Sequence, residues 1–261
     1  ILAQQFELAG GGEFIQPLVN DNIGGLLIGG NVIQEPRLFF NGAGPQRLEA
    51  TPTTEISNIV TGPFNNLGVP GAKSFHLLAP GYGNIAGVAT GQSNPYFVRM
   101  ASSPATTVLQ DALSQDPSFF SLWIGNNDVL SFATSGGVGV NQAGNLDPST
   151  YGSNDITDPN VFAQIYSGIV EALVANGAEG VLANIPNVMK VPYFTTVPFQ
   201  PLSPTNPAYA PMIPSLNQTF AGLNQVFAAM GVPERSIVFS PSAASAVVVK
   251  DESLTDLGPQ I

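Results

Sequence analysis

Gly125-Asn126-Asn127-Asp128 carries more chemical content than any other short stretch of this chain. It follows the apolar run Ser118–Ile124, which is bounded by Pro117 before and Gly125 after and reads as a buried strand. Asn and Asp directly after such a strand suit the cap of a new helix. The tetrapeptide is therefore placed at the carboxyl end of a strand, where open α/β sheets put their ligand sites. An amide side chain there can donate hydrogen bonds to a developing oxyanion. A second copy, Gly152-Ser153-Asn154-Asp155, has no strand before it and lies among Gly, Asn, Asp and Ser. It reads as turn chemistry.

The second informative stretch is Asn65-Asn66-Leu67-Gly68-Val69-Pro70-Gly71-Ala72. It reads as a strand end turning through glycines into a helix that begins near Ala72 or Lys73. Gly71 would offer a backbone N–H with no Cβ to block an approaching oxygen. Taken alone, it reads as a plain turn glycine. His76 is the only histidine, five residues after Gly71. It reads as structural, or as flanking a cleft, and not as a general base. With no second His, no Cys and no acidic cluster at ligand spacing, neither a metal site nor a cofactor is expected.

Composition narrows the classes. The chain has 261 residues, 44% of them hydrophobic and only 10% charged, which argues for a sizeable core and against disorder. Its seven Lys and Arg cannot form a basic patch, and with a net charge of −11 a nucleic-acid partner is not expected. No apolar run reaches membrane-spanning length, and no signal peptide is visible. Few cations with many Asn, Ser and Thr suggest an extracytoplasmic protein, secreted, periplasmic or surface-anchored. Both ends, starting at Ile1 and finishing after Leu257-Gly258-Pro259, read as cuts within a longer protein.

The elements that must position these residues follow from periodicity. Ile1–Leu8 reads as the back half of a helix that Gly10-Gly11-Gly12 stops. Residues 13–60 are less regular; Gly24–Gly30 reads as a mobile surface excursion with one apolar anchor, and Phe39 and Phe40 as packing onto the main core. Gly81–Phe97 reads as a loop with exposed aromatics that could line an acyl or sugar pocket. Ser103-Pro104 opens a helix with Val108, Leu109, Ala112 and Leu113 on one face. After a polar loop over 134–157, Asp158-Pro159 caps the clearest helix, which Asn176-Gly177 ends, and Val181–Ile185 follows as a strand. Residues 190–214 hold seven prolines and read as an irregular excursion, able to cover a cleft. Ser215 and Gln218 suggest a capping box for a helix closed by Gly231. Ser236–Phe239 and the shorter Ala246–Val249 then read as strands. Helix-then-strand thus recurs at 104–124, 159–185 and 215–239, which argues for a parallel sheet with helices on both faces, in one domain over 1–261.

Asn66, Gly71 five residues later, and Gly125-Asn126-Asn127-Asp128 after an apolar strand resemble the second and third sequence blocks of the SGNH hydrolases, the GDSL-type lipase/esterase family. The resemblance implies an α/β/α sandwich with a parallel, flavodoxin-like sheet, incomplete at both ends and carrying long Gly/Pro-rich loop insertions. It implies an acyl-ester hydrolase in which a serine attacks the carbonyl of a lipid, an acylated carbohydrate or another small ester. Gly71, through its backbone N–H, and Asn127, through its side-chain amide, would form the oxyanion hole. Gly125 would allow the close turn, Asp128 would cap or brace the Asn127 loop, and Asn66 completes the second block. The family's Gly-Asp-Ser block is absent, as is a Gly-x-Ser-x-Gly elbow. Its late Asp-x-x-His block is absent too, because Asp251 and Asp256 have no following His. Ile1–Leu8 resembles the helix after the family's serine loop, so truncation would explain both gaps, and these residues alone would then be inactive. A non-catalytic module that binds glycan or protein remains the alternative.

Overall fold

The computed structural model describes residues 2–8, 10–195 and 200–246. The chain divides into two compact units. The first comprises the described residues up to Ser131 together with Gly139–Ile185; the second comprises Phe132–Val138 and the described residues from Pro186 onward.

The first unit opens with helix α1 (Leu2–Leu8). Two antiparallel hairpins follow, β1 (Leu26–Ile28) with β2 (Asn31–Gln34), and β3 (Leu38–Phe40) with β4 (Pro45–Arg47). Gly24–Gly30 thus supplies β1 and the turn of the first hairpin. The Gly29-Gly30 pair supplies the positive φ that a two-residue hairpin turn requires, and Leu26 beside it is fully buried. Phe39 and Phe40 do not pack onto the core. As neighbours in one strand they point to opposite faces, and Phe40 stays 72% exposed.

Beyond the hairpins come the 3-10 turns Ser74–Leu78 and Ile85–Thr90, then helices α2 (Pro95–Met100) and α3 (Val108–Leu113). The first core lies here, formed by Phe64, Ala72, Tyr82, Phe97, Met100 and Val108. Tyr82 and Phe97, expected as exposed loop aromatics, are buried in it. The α3 helix starts later than Ser103-Pro104 suggests, because Thr107 and Gln110 form a reciprocal cap. Gln110 N–H donates to Thr107 Oγ1 at 3.0 Å, and Thr107 N–H to Gln110 Oε1 at 2.9 Å. Upstream, the Asp111 carboxylate accepts from Ser102 N–H, Ser102 Oγ and Thr106 Oγ1, which holds 102–106 as a turn.

Strand β5 (Phe119–Leu122) leads through Gly125 into α4 (Asn126–Ala133). After the polar loop, α5 (Pro159–Val174) crosses back to β6 (Glu179–Leu182), which pairs in parallel with β5 from Phe119↔Glu179 to Leu122↔Leu182. Asp158 caps α5 by accepting from Asn160 and Val161 N–H. Leu122, Ile124, Ile169 and Leu173 form the second core between sheet and helix. Burying each such side chain is worth roughly 2 kcal/mol, so this one interface anchors the strand end that carries Asn127. Among the described residues the architecture is mixed helix and small sheet, with one parallel strand pair and no closed barrel.

The second unit holds α6 (Pro192–Thr195) and α7 (Ile213–Ala229). The proline-rich excursion belongs to it, with 196–199 outside the described residues. No Ser215–Gln218 capping box starts α7. The helix already begins at Ile213, and Ser215 Oγ donates back to the Met212 carbonyl at 2.9 Å. Among the described residues, Ser236–Phe239 joins no ladder. Its peptides pair instead with two amide side chains two turns apart on α7. Asn224 bonds both the N–H and the carbonyl of Ile237 at 2.8 Å, and Asn217 bonds those of Phe239 at 2.8 and 2.9 Å. The carboxamide reproduces the donor and acceptor of a neighbouring strand, so the segment stays extended without one. The strand expected at Ala246–Val249 lies outside the described residues beyond Ala246.

Replacing Asn224 by Leu keeps the side chain's size but leaves the Ile237 peptide groups unpaired. The variant is expected to lose about 2 kcal/mol of stability in urea unfolding followed by circular dichroism. A loss below roughly 0.5 kcal/mol would mean that water serves these peptides equally well.

Candidate functional site

Pro70 and Gly71 form the centre of a turn that Ala72 N–H closes onto the Val69 carbonyl at 3.2 Å. Pro suits the second position of such a turn, and the third requires positive φ, which Gly71 has at 79°. Gly71 is exposed, its N–H has no hydrogen-bond partner among the described residues, and a Cβ there would meet nothing within 4 Å. The turn thus presents an open N–H donor to free space.

Asn127 reaches this turn from the other side. It is the second residue of α4, and its Nδ2 donates to the Ala72 carbonyl at 2.9 Å. An amide nitrogen carries two protons, and the second has no partner among the described residues. Gly125 makes this approach feasible. Its φ is 110°, and a Cβ would come within 2.6 Å of Ile185 and 2.8 Å of Phe162. No side chain fits between strand and helix at that point. The structure therefore brings Asn127 and the residue after Gly71 into contact across 55 positions of sequence.

Asp128 holds the two segments together. Its carboxylate is only 2% exposed. Oδ2 accepts from Ser74 N–H at 2.8 Å, and Oδ1 accepts from Ser74 Oγ at 2.7 Å and Thr157 Oγ1 at 2.8 Å. Asp128 is thus a brace and not a helix cap. Burial raises its pKa, against the hydrogen bonds and the nearby Lys73 charge that lower it. Lys73 is itself buried, and burial pulls its pKa down against the attraction of Asp128 and Asp155. Its Nζ donates to the carbonyls of Asp155 at 2.7 Å and Gly152 at 3.3 Å. Asn66 is not part of this cluster; its Oδ1 accepts from Gly68 N–H at 3.0 Å and shapes the approach loop. Gly152-Ser153-Asn154-Asp155 closes on itself, with Gly152 N–H donating to Asp155 Oδ2 at 2.7 Å.

His76 flanks the turn. Its Nδ1 accepts from Lys73 N–H at 3.0 Å, and its ring stacks on Tyr82 at 4.6 Å. Burial first, then the Lys73 charge, lowers its pKa from 6.5 to about 4. Protonation would have to occur at the nitrogen already engaged by Lys73 N–H.

Several participants were not singled out by sequence. Ser74 and Thr157 complete the Asp128 brace, and Lys73 ties the second Gly-x-Asn-Asp copy to the first. Asn94 supports the turn by donating Nδ2 to the Pro70 carbonyl at 2.8 Å. The Asn126 amide oxygen is buried without a partner among the described residues. Asn94 also caps α2, a role that Asn before Pro could have signalled, but its bond to Pro70 has no local sequence signal. Among the described residues, no group of three or more His, Cys, Asp or Glu could hold a metal ion. No described helix is long and apolar enough to cross a membrane. No protein-family model, curated protein or solved structure matches the chain.

Asp128→Ala strands the buried Ser74 N–H and is expected to cost about 3 kcal/mol in urea unfolding. Asp128→Asn is expected to cost less than half as much, because both hydroxyls can rotate and accept from its amide. Equal losses would show that charge opposite Lys73, not hydrogen bonding, makes the brace.

The His76 shift has a definite sign. Between pH 6.5 and about 4 the unfolded chain takes up a proton that the folded imidazole refuses. Stability from this group is complete above pH 6.5 and falls as pH drops toward 4, by roughly 3 kcal/mol in all. The stability difference between the unsubstituted chain and His76→Gln, measured across that window, is expected to follow this course. A pH-independent difference would contradict it.

Proposed function

We propose that this chain carries the oxyanion-binding part of an SGNH-type, GDSL-like ester hydrolase with an α/β/α, flavodoxin-like architecture. One observation carries the reading: the Asn127 amide lies against the Gly71-Ala72 turn at the carboxyl end of a parallel strand. Two N–H donors of different origin, one backbone and one side chain, thereby belong to one turn, which is open at Gly71. Such a pair suits the negative oxygen of a tetrahedral acyl intermediate more than the ground-state carbonyl, because each bond strengthens as charge develops.

Each residue has a role in this reading. Gly71 donates its free N–H, and Asn127 donates the Nδ2 proton not used on Ala72. Gly125 lets the strand turn into α4 without a side chain in the way. Asp128 fixes the distance between the two donors and touches no substrate. His76 is not the base, since its Nδ1 is occupied and its pKa is low. No Gly-Asp-Ser or Asp-x-x-His block stands within 1–261, so this reading assigns neither nucleophile nor base to these residues. The substrate is an acyl ester of a lipid, an acylated sugar or another small alcohol, met outside the cytoplasm.

The test uses the protein expressed from its whole reading frame and assayed on p-nitrophenyl acetate. Asn127→Ala is expected to lower kcat by about 10²–10³ with little change in KM. Hydrolysis unaffected by Asn127→Ala would refute the assignment. A complete lack of activity on acyl esters would favour a non-catalytic binding module.

A further inference from the structure

The β3–β4 hairpin carries large apolar side chains on both faces and is covered on neither. Its register pairs Leu38 with Arg47, Phe39 with Gln46 and Phe40 with Pro45. Successive residues of a strand point to opposite faces. Leu38, Phe40, Pro45 and Arg47 thus share one face, and Arg37, Phe39 and Gln46 share the other. All seven are exposed, Leu38 at 59% and Phe40 at 72%. Among the described residues no third strand joins this sheet. A flat protein partner would cover one face and leave the other in water. Only a medium that surrounds the hairpin takes Phe39 and Phe40 out of water together.

The tip is built for such a medium. Residues 38–46 carry no charge. Asn41, between the strands, turns its polar atoms inward. Its N–H donates to the Gly44 carbonyl at 3.1 Å, and its Oδ1 accepts from Ala43 and Gly44 N–H, each at 2.9 Å. Its Nδ2 donates to Gln46 Oε1 at 2.9 Å. These groups are satisfied within the hairpin, which lowers the cost of taking them out of water.

Charge is ordered along the hairpin. Arg37 and Arg47 stand at its base, one on each face. Each spends part of its guanidinium on a backbone carbonyl, Arg37 on Asn22 and Arg47 on Pro36. The remaining N–H groups have no partner among the described residues and are free for phosphate oxygens. Glu35 and Glu49, both exposed, follow two positions further from the tip. From Arg37 to Phe40 the strand rises about 10 Å. That matches the depth of roughly 5–10 Å at which apolar groups enter the boundary between headgroups and acyl chains. Apolar tip, cationic belt and anionic foot repeat the order of acyl chain, phosphate and choline in a zwitterionic lipid. We propose that the β3–β4 hairpin inserts its tip into the surface of a zwitterionic phospholipid bilayer, with Arg37 and Arg47 at the phosphates. The contact uses no residue of the oxyanion turn and stands whether or not esters are cleaved there.

The purified chain is sedimented with phosphatidylcholine vesicles. It is expected to bind them, and Phe40→Ser is expected to weaken binding about tenfold or more. Arg37→Gln with Arg47→Gln is expected to weaken it several-fold. All three side chains are exposed, so circular dichroism is expected to be the same for each variant. Trp123 is the only tryptophan, which gives a second readout. In a Trp123→Phe background, Phe40→Trp emission is expected to shift to the blue with vesicles and to be quenched by lipids brominated high on the acyl chain. Failure to bind, binding that Phe40→Ser leaves intact, or binding confined to phosphatidylglycerol vesicles would overturn the proposal. Self-association that Phe40→Ser abolishes, with no vesicle binding, would overturn it in favour of a second copy of the chain.

Discussion

The buried carboxylate of Asp128 is the constraint on which the site depends. Three donors from two distant segments, Ser74 and Thr157, converge on it, and almost none of it meets water. A buried carboxylate without such partners would be costly, so the fold around it is held to the one arrangement that satisfies it. That arrangement sets the turn at Gly71 against the first turn of α4. The position of the Asn127 amide is therefore a consequence of its neighbour, with the Ala72 carbonyl as a second tether. Lys73 offsets the charge from behind while binding the carbonyls of Gly152 and Asp155.

The same device recurs away from the site. Asp111 gathers 102–106, Asp155 accepts from Val140 and Gly152 N–H, and Asp158 accepts from Gly144 N–H while capping α5. In the second unit, Asn217 and Asn224 stand in for a neighbouring strand. Short strands leave many peptide groups without a ladder, and Asp and Asn supply the missing acceptors and donors. Part of the acidic excess of the chain thus faces its own backbone.

This explains what could be read from the letters. Helix α5 was legible because a cap, a long periodic apolar face and a closing Gly agree along one continuous stretch. At β5–Gly125–α4 the order of strand, glycine and helix was legible, but the strand expected to be buried leaves Phe119 and Ser121 exposed and no side-chain cap opens the helix. The third expected strand was not. Ile237-Val238-Phe239 has the composition of a strand, yet its partners are side chains on a helix, and no local pattern announces that. The late start of α3 follows from the Thr107–Gln110 cap, which a reading from Ser103-Pro104 alone passes over. Roles that depend on long-range closure, such as those of Ser74, Thr157 and Asn94, leave no spacing to find.

The account's central claim is that the Asn127 amide sits against the turn at Gly71 and Ala72 in solution. The direct measurement is the set of nuclear Overhauser contacts from the two side-chain amide protons of Asn127. Contacts to the α-protons of Gly71 and Ala72, with one amide proton protected from exchange and the other not, are the predicted result. Fast exchange of both protons with no contact to either residue would contradict the account.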